Sequence, residues 1–187
     1  MNIYLIGYRA TGKTSVAKAL AVRLGWPFVD TDLVLVKEVG LTITDFVGRY
    51  GWEAFREHEG QVLKKIVASD RQVVATGGGI VLDRENVKQM KNSGVIIWLK
   101  ASPATIKQRI IQDKNTAASR PSLTSQGLDN EIEETLLRRR SYYENAMDLS
   151  IDTDDLPIDE IGTEILNKLN EIKMNWSSTP PHRKPEA

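Results

Sequence analysis

Residues 7–14 read GYRATGKT, and the reading of these eight residues decides the fold. Glycine, four residues, then Gly-Lys-Thr is the spacing of a loop that wraps phosphate, but only where a strand precedes it and a helix follows. Both flanks are present. NIYLI at 2–6 is short and apolar enough for a buried strand, and KTSVAKALAVRL at 13–24 places Val16, Ala17, Leu20 and Leu24 on one stripe before Gly25, where a helix commonly stops. Gly7 and Gly12 let the backbone curl so that its N–H groups converge, and the helix N-terminus adds a partial positive charge. The loop and first helical turn, Gly7, Ala10, Thr11, Gly12, Lys13, Thr14 and Ser15, are therefore the candidates for holding a nucleotide. Lys13 would reach the β- and γ-phosphates as a point charge, and Thr14 would offer its hydroxyl to Mg²⁺.

Outward from the loop, short β-branched runs alternate with amphipathic stretches. PFVD at 27–30, QVVAT at 72–76, VIIWL at 95–99 and LSIDT at 149–153 are the further strand candidates. Ser102 followed by Pro103 opens a helix over 103–112, and residues 158–172 carry Ile158, Ile161, Ile165, Leu166, Leu169 and Ile172 at helical spacing. This alternation predicts an α/β domain built on a five-stranded parallel sheet with helices on both faces. DKNTAASRPSLTSQG at 113–127 is polar and interrupted by proline, which suits a lid. Residues 175–187 are expected as a disordered tail, leaving one domain over 1–174.

Composition narrows the partners. Lys plus Arg equals Asp plus Glu, 25 each, among 187 residues, so no global field attracts nucleic acid or a membrane surface and any anion site must be local. The absence of cysteine and the presence of only two histidines disfavour thiol chemistry and His-based metal sites, so a metal would be held by oxygen. No basic leader precedes MNIYLIG and no apolar stretch approaches the length of a membrane span. A monomeric cytoplasmic protein with small-molecule partners is expected.

Four further stretches bear on chemistry. FVDTD ends the second strand candidate with Asp30 and Asp32, at the carboxyl end where open α/β sheets gather ligands. If that segment is still extended, both carboxylates point to one side, one for Mg²⁺ and the other for an acceptor hydroxyl. The alternative for Asp32 is a helix cap. GWEAFREHEG at 51–60 puts Arg56 on a helix whose charged face is otherwise read as solvated; Trp52, four residues before Arg56, is expected in the core, with a place at the acceptor as the alternative. RRRSYY at 138–143 is read near the end of another helix, complementing its negative pole. VATGGGIV at 74–81 is either a loose turn or the floor of a site, because three glycines suit a close approach. A guanine reader is missing, since NKLN at 167–170 lacks its aspartate.

Taken together, GYRATGKT, FVDTD, GWEAFRE, TGGG, RPSL and RRSYYENAMD occur in the order and approximate spacing of the shikimate kinases, and the chain resembles that family from Met1 to about Lys173. The resemblance implies a three-layer α/β P-loop kinase fold that transfers the γ-phosphoryl of ATP to the 3-hydroxyl of shikimate, a step toward chorismate and the aromatic amino acids. It implies Asp32 as the base at the reacting hydroxyl and Asp30 beside the Mg²⁺ water shell. Arg56 and Arg139 would clamp the acceptor carboxylate, with Arg138 and Arg140 as alternatives to Arg139, and Glu59 would orient the arginines. Gly77, Gly78 and Gly79 would lie against shikimate with free N–H groups. Arg120 would close over ATP, and Arg109 with Pro157 would flank adenine. Three features depart from the family pattern: a longer lid, Ser141, Tyr142 and Tyr143 where Pro-Leu-Tyr is common, and the tail. A kinase for another small polyol or sugar acid such as gluconate, or a nucleotide-binding module without chemistry, are the competing readings.

Overall fold

The computed structural model describes residues 1–112 and 127–178, with side chains through 171. The chain runs β1 (Asn2–Ile6), α1 (Lys13–Leu24), β2 (Phe28–Asp30), α2 (Thr31–Val39), α3 (Ile43–Ile66), β3 (Val73–Ala75), a 3₁₀ turn (Ile80–Leu82), α4 (Arg84–Ser93), β4 (Gly94–Lys100), α5 (Pro103–Gln112), α6 (Leu128–Ala146), β5 (Leu149–Asp152) and α7 (Ile158–Ser178). The five strands form one parallel sheet in the order β2-β3-β1-β4-β5. β1 sits at its centre, so the phosphate loop leaves the sheet in the crevice at the carboxyl edge.

Why the strands read as continuous apolar runs is now plain: both faces of the sheet are covered. Alternate residues of β1 enter different cores. Tyr4 and Ile6 pack with Val74 and Ile96 against Leu35, Phe46, Leu63, Met90 and Tyr143 of α2, α3, α4 and α6. Ile3 and Leu5 pack with Val73 and Ile97 against Val16 and Leu20 of α1 and Ile161, Ile165 and Leu169 of α7. Each such fully buried aliphatic side chain contributes about 2 kcal/mol. A third, smaller cluster joins Tyr8 of the phosphate loop to Ile106 and Ile110 of α5 and Ile132 of α6. The helices on both faces and the five parallel strands match the architecture read from the sequence.

Some boundaries differ. The closing helix continues to Ser178, so residues 175–178 are helical where an unstructured tail is expected; 179–187 lie outside the described residues. The expected lid lies outside them as well, apart from Gly127. Arg138, Arg139 and Arg140 stand well before the end of α6 at Ala146, and no basic residue occupies its last turn. The helix-dipole reading of that run is therefore withdrawn. Helix α3 kinks at Gly51, where φ is 82° and ψ 171°, which starts a new helical segment at Trp52. Among the described residues no helix is long and apolar enough to cross a membrane.

Candidate active site

The phosphate loop is shaped by its own sequence. Gly7 (φ 141°), Ala10 (φ 61°) and Gly12 (φ 90°) hold positive φ, and a Cβ at Gly7 would overlap the carbonyl oxygen of Leu99 in β4. Glycine is required there by both conformation and space. Thr11 Oγ1 donates to the Tyr8 carbonyl at 2.8 Å. The buried Lys13 ammonium donates to the carbonyls of Gly7 and Tyr8 at 2.8 and 2.6 Å. Its charge thus sits inside the loop's curl. Ser15 is exposed in the first turn of α1. Arg109, reaching from α5, donates to the carbonyl of Ala10 at 3.3 Å and to Thr153 Oγ1 and carbonyl oxygen at 3.2 and 2.5 Å. It ties the loop to the segment after β5, while Pro157 stands exposed just ahead of α7.

The two acids separate in role. Asp30 caps α2: its Oδ1 accepts from the backbone N–H of Asp32 and Leu33 at 3.0 and 3.2 Å, a cap worth about 1 kcal/mol. Its Oδ2 accepts from Thr14 Oγ1 at 3.0 Å. Asp32 has already entered the helix, so the two carboxylates do not share an extended backbone, and the expectation that they point one way is corrected. The capping acid is Asp30 rather than Asp32. Asp32 instead faces a cleft that it lines with Arg9, Trp52, Arg56, Gly77–Gly79 and Arg139.

Three elements build that cleft. The glycine turn after β3 supplies its floor, and here the triple is explained. A Cβ on Gly77 would fall 2.5 Å from Glu59 Oε1 and 2.7 Å from Asp32 Oδ1, and one on Gly79 would overlap the Arg56 guanidinium. The glycines are thus demanded by neighbouring side chains of the protein itself. One part of the expectation fails: the N–H of Gly77 is not free, because it donates to Thr31 Oγ1 at 2.9 Å. The carbonyl of Gly78 accepts from Arg139 Nη1 at 3.0 Å and from the Tyr143 hydroxyl at 2.6 Å, which pins the turn to α6.

The segment of α3 beyond the kink supplies the wall. Arg56 Nη1 donates to Glu59 Oε2 at 2.5 Å, and its guanidinium lies over the rings of Trp52 and Phe55, 5.4 and 5.1 Å from the centroids. Trp52 is 37% exposed at this cleft, which corrects the expectation of a core tryptophan. Burial pushes the Glu59 carboxyl up to about 7, against the pull of Arg56 beside it. From α6, Arg139 enters the cleft, whereas Arg138 and Arg140 are 73% and 72% exposed and face Glu134 and Glu144. Of the three arginines, Arg139 is the one that lines the cleft with Asp32 and Arg56.

A family model described as shikimate kinase matches residues 9–170. The chain belongs to the shikimate kinase family. A shikimate kinase of Thermodesulfovibrio yellowstonii is 41% identical over 171 residues, spanning 91% of this chain and 96% of that protein. Among solved structures, shikimate kinase from Acinetobacter baumannii in complex with shikimate superposes with a TM-score of 0.86 at 28% identity, covering 92% of this chain and 94% of that one. A gluconokinase from Sinorhizobium meliloti shares the fold at 20% identity, with a TM-score of 0.59.

Within the shikimate kinase framework, several site residues carried no signal in the sequence. Tyr143, Thr31, Thr153, Arg9 and Glu131 make contacts with partners tens of residues distant, as with Arg9 and Glu131, which are 122 positions apart. Tyr143 alone had a hint, since it ends the stretch where the family pattern reads Pro-Leu-Tyr. Arg120 lies outside the described residues.

Proposed function

We propose that this chain transfers the γ-phosphoryl group of ATP to the 3-hydroxyl of shikimate, giving 3-phosphoshikimate and ADP, as an ATP-dependent kinase of the shikimate kinase family. The observation that carries the reading is one cleft in which the Asp32 carboxylate, the Gly77–Gly79 turn, Arg56 and Arg139 meet beside the phosphate loop. A ring bearing one carboxylate and several hydroxyls matches this set. Two guanidinium forks suit the carboxylate, and Asp32 suits the reacting hydroxyl. The N–H groups of Gly78 and Gly79 suit the remaining polar edge. In the reaction a bond forms between the acceptor oxygen and the γ-phosphorus as the bond to the bridging β–γ oxygen breaks, and the hydroxyl proton passes to Asp32. Such transfer depends on positioning and charge stabilisation more than on proton abstraction.

Thr14 Oγ1 and Asp30 Oδ2, 3.0 Å apart, are hard oxygen donors beside the loop and fit Mg²⁺. No group of three or more acidic, histidine or cysteine side chains placed to hold a metal ion occurs among the described residues; phosphate oxygens and water would complete the shell around these two. When bound, the ion would supply charge neutralisation at the phosphates. Asp32 is left to the acceptor. Arg109 with the segment reaching Pro157 is assigned to adenine, and Arg120 to the transferring phosphoryl group. A monomer working in the cytoplasm, where ATP is supplied, completes the proposal.

The test is steady-state ADP release from Mg-ATP with shikimate, with gluconate and with no acceptor. Turnover with shikimate alone is expected. Silence with every acceptor from protein that binds ATP would favour a binding module, and turnover with gluconate would reassign the acceptor.

A further inference from the structure

Arg9 belongs to the phosphate loop by sequence and to the acceptor cleft by geometry. It lines the cleft with Asp32, Arg56 and Arg139. Its backbone nitrogen lies 3.6 Å from where a Cβ of Gly78 would stand, and Arg139 Nη1 lies 3.8 Å from the same point. Two arginines therefore flank Gly78. The Arg9 guanidinium forms an ion pair, through Nη2, with Oε1 of Glu131, a residue in the first turn of α6. The Tyr8 hydroxyl donates to the same oxygen at 3.2 Å, and the Arg9 guanidinium carbon stands 5.7 Å from the Tyr8 ring centroid.

This pair is sequestered: the side chains of Arg9 and Glu131 keep 12% and 2% of their exposure. Desolvation of two charges largely offsets their attraction, so a buried pair is a poor device for stability alone. Its position suggests a different use. The wall of a cleft for an anion gains from a cation whose orientation is fixed before the ligand arrives. The buried Nε of Arg9 has no acceptor among the described residues, so the pairing with Glu131 leaves one N–H of the guanidinium unmet.

We infer that Arg9 is a third arginine of the acceptor cleft, a specificity-determining residue for the anionic acceptor, and that Glu131 is the positioning residue that holds its guanidinium. The inference rests on the reading of this cleft as the shikimate site. Arg56 and Arg9 each share their charge with a carboxylate, Glu59 and Glu131, and those pairs fix both guanidinium groups at a cleft that also contains Asp32.

Kinetics of the full chain separate the two ideas. Wild-type turnover is measured first; silence with shikimate overturns the acceptor reading itself, and the assignment of Arg9 falls with it. Given turnover, Arg9→Ala is expected to raise KM for shikimate about tenfold, one charge-assisted hydrogen bond, with KM for ATP changed less than about twofold. Glu131→Gln keeps the acceptor for Tyr8 but loses the charge pairing, and raises the same constant by a smaller factor. Arg9→Ala alone strands a buried carboxylate, so the double variant Arg9→Ala with Glu131→Gln is the control for folding. Its thermal midpoint should return toward wild type while KM for shikimate stays about tenfold high. Recovery of that KM together with the midpoint would show a purely structural pair and overturn the inference. An equal rise in KM for ATP in the double variant would overturn it too, by placing the effect on the phosphate loop as a whole.

Discussion

At the scale of single residues, the division of labour between Asp30 and Asp32 rests on one turn of backbone. Asp30 spends one oxygen on the N-terminus of α2 and the other on Thr14, so its carboxylate is occupied by structure and by the metal candidate. Asp32, two residues on, is turned by the helix toward the glycine floor. Asp32→Asn is therefore expected to keep fold and ATP binding while kcat falls about 10²–10⁴-fold, the usual worth of a positioned base; near-normal turnover in a stopped assay would refute its role. Glu59 makes the site sensitive to pH. Its carboxyl, pushed up to about 7 by burial, holds Arg56 by charge only once ionised. KM for shikimate should fall as pH rises through about 7, and a Glu59→Gln variant should lose that dependence. Stability moves in the opposite sense. A carboxyl whose folded-state value lies above its ordinary 4.5 favours folding most below that value, and the contribution fades as pH rises through about 7.

At the scale of elements, the glycine-rich turn and the phosphate loop use glycine for different reasons, and substitution should distinguish them. A methyl at Gly7 meets the backbone carbonyl of Leu99, which cannot step aside, at a φ of 141° that L-residues avoid. Gly7→Ala should destabilise the fold by several kcal/mol, on the order of the penalties for overpacking plus backbone strain, read as a large fall in the denaturation midpoint. A methyl at Gly79 meets the end of the Arg56 side chain, which can swing away. Gly79→Ala should lower the midpoint much less than Gly7→Ala while raising KM for shikimate, because a displaced Arg56 loses its bond to the buried Glu59 and its stacking on Trp52 and Phe55.

At the scale of the whole molecule, the sheet separates the face that carries the acceptor cleft from one whose apolar core, away from the N-terminus of α1, carries no residue of that cleft. The helices α2, α3, α4 and α6 pack on the first face and deliver Asp32, Arg56, Glu59 and Arg139 to the carboxyl edge. α1 and α7 pack on the second, where Ile165 is fully buried in the cluster around Leu5 and Ile97. Ile165→Ala should cost about 2–5 kcal/mol through the cavity it leaves, about 10 °C in midpoint for a chain of this length. Its KM values at 20 °C should match wild type, since the apolar cluster around Ile165 contains none of the cleft residues. A KM change there would mean that the two faces are coupled through the sheet.

The sequence by itself determined whatever is local. A phosphate loop needs only eight consecutive residues, and strands covered on both faces announce themselves as apolar runs, so the fold class, α1, α5 and the β1–loop–α1 unit were legible without a structure. Partners distant in the chain were not. Which arginine of 138–140 faces the cleft depends on the rotation of α6 against the sheet, and the N–H of Gly77 is satisfied by Thr31 from the next strand's helix. Arg9 and Glu131 meet only because α6 returns across the phosphate loop. Periodicity encodes which face of an element is buried; only packing decides what that face meets, because side-chain contacts depend on distances between elements that no single segment specifies.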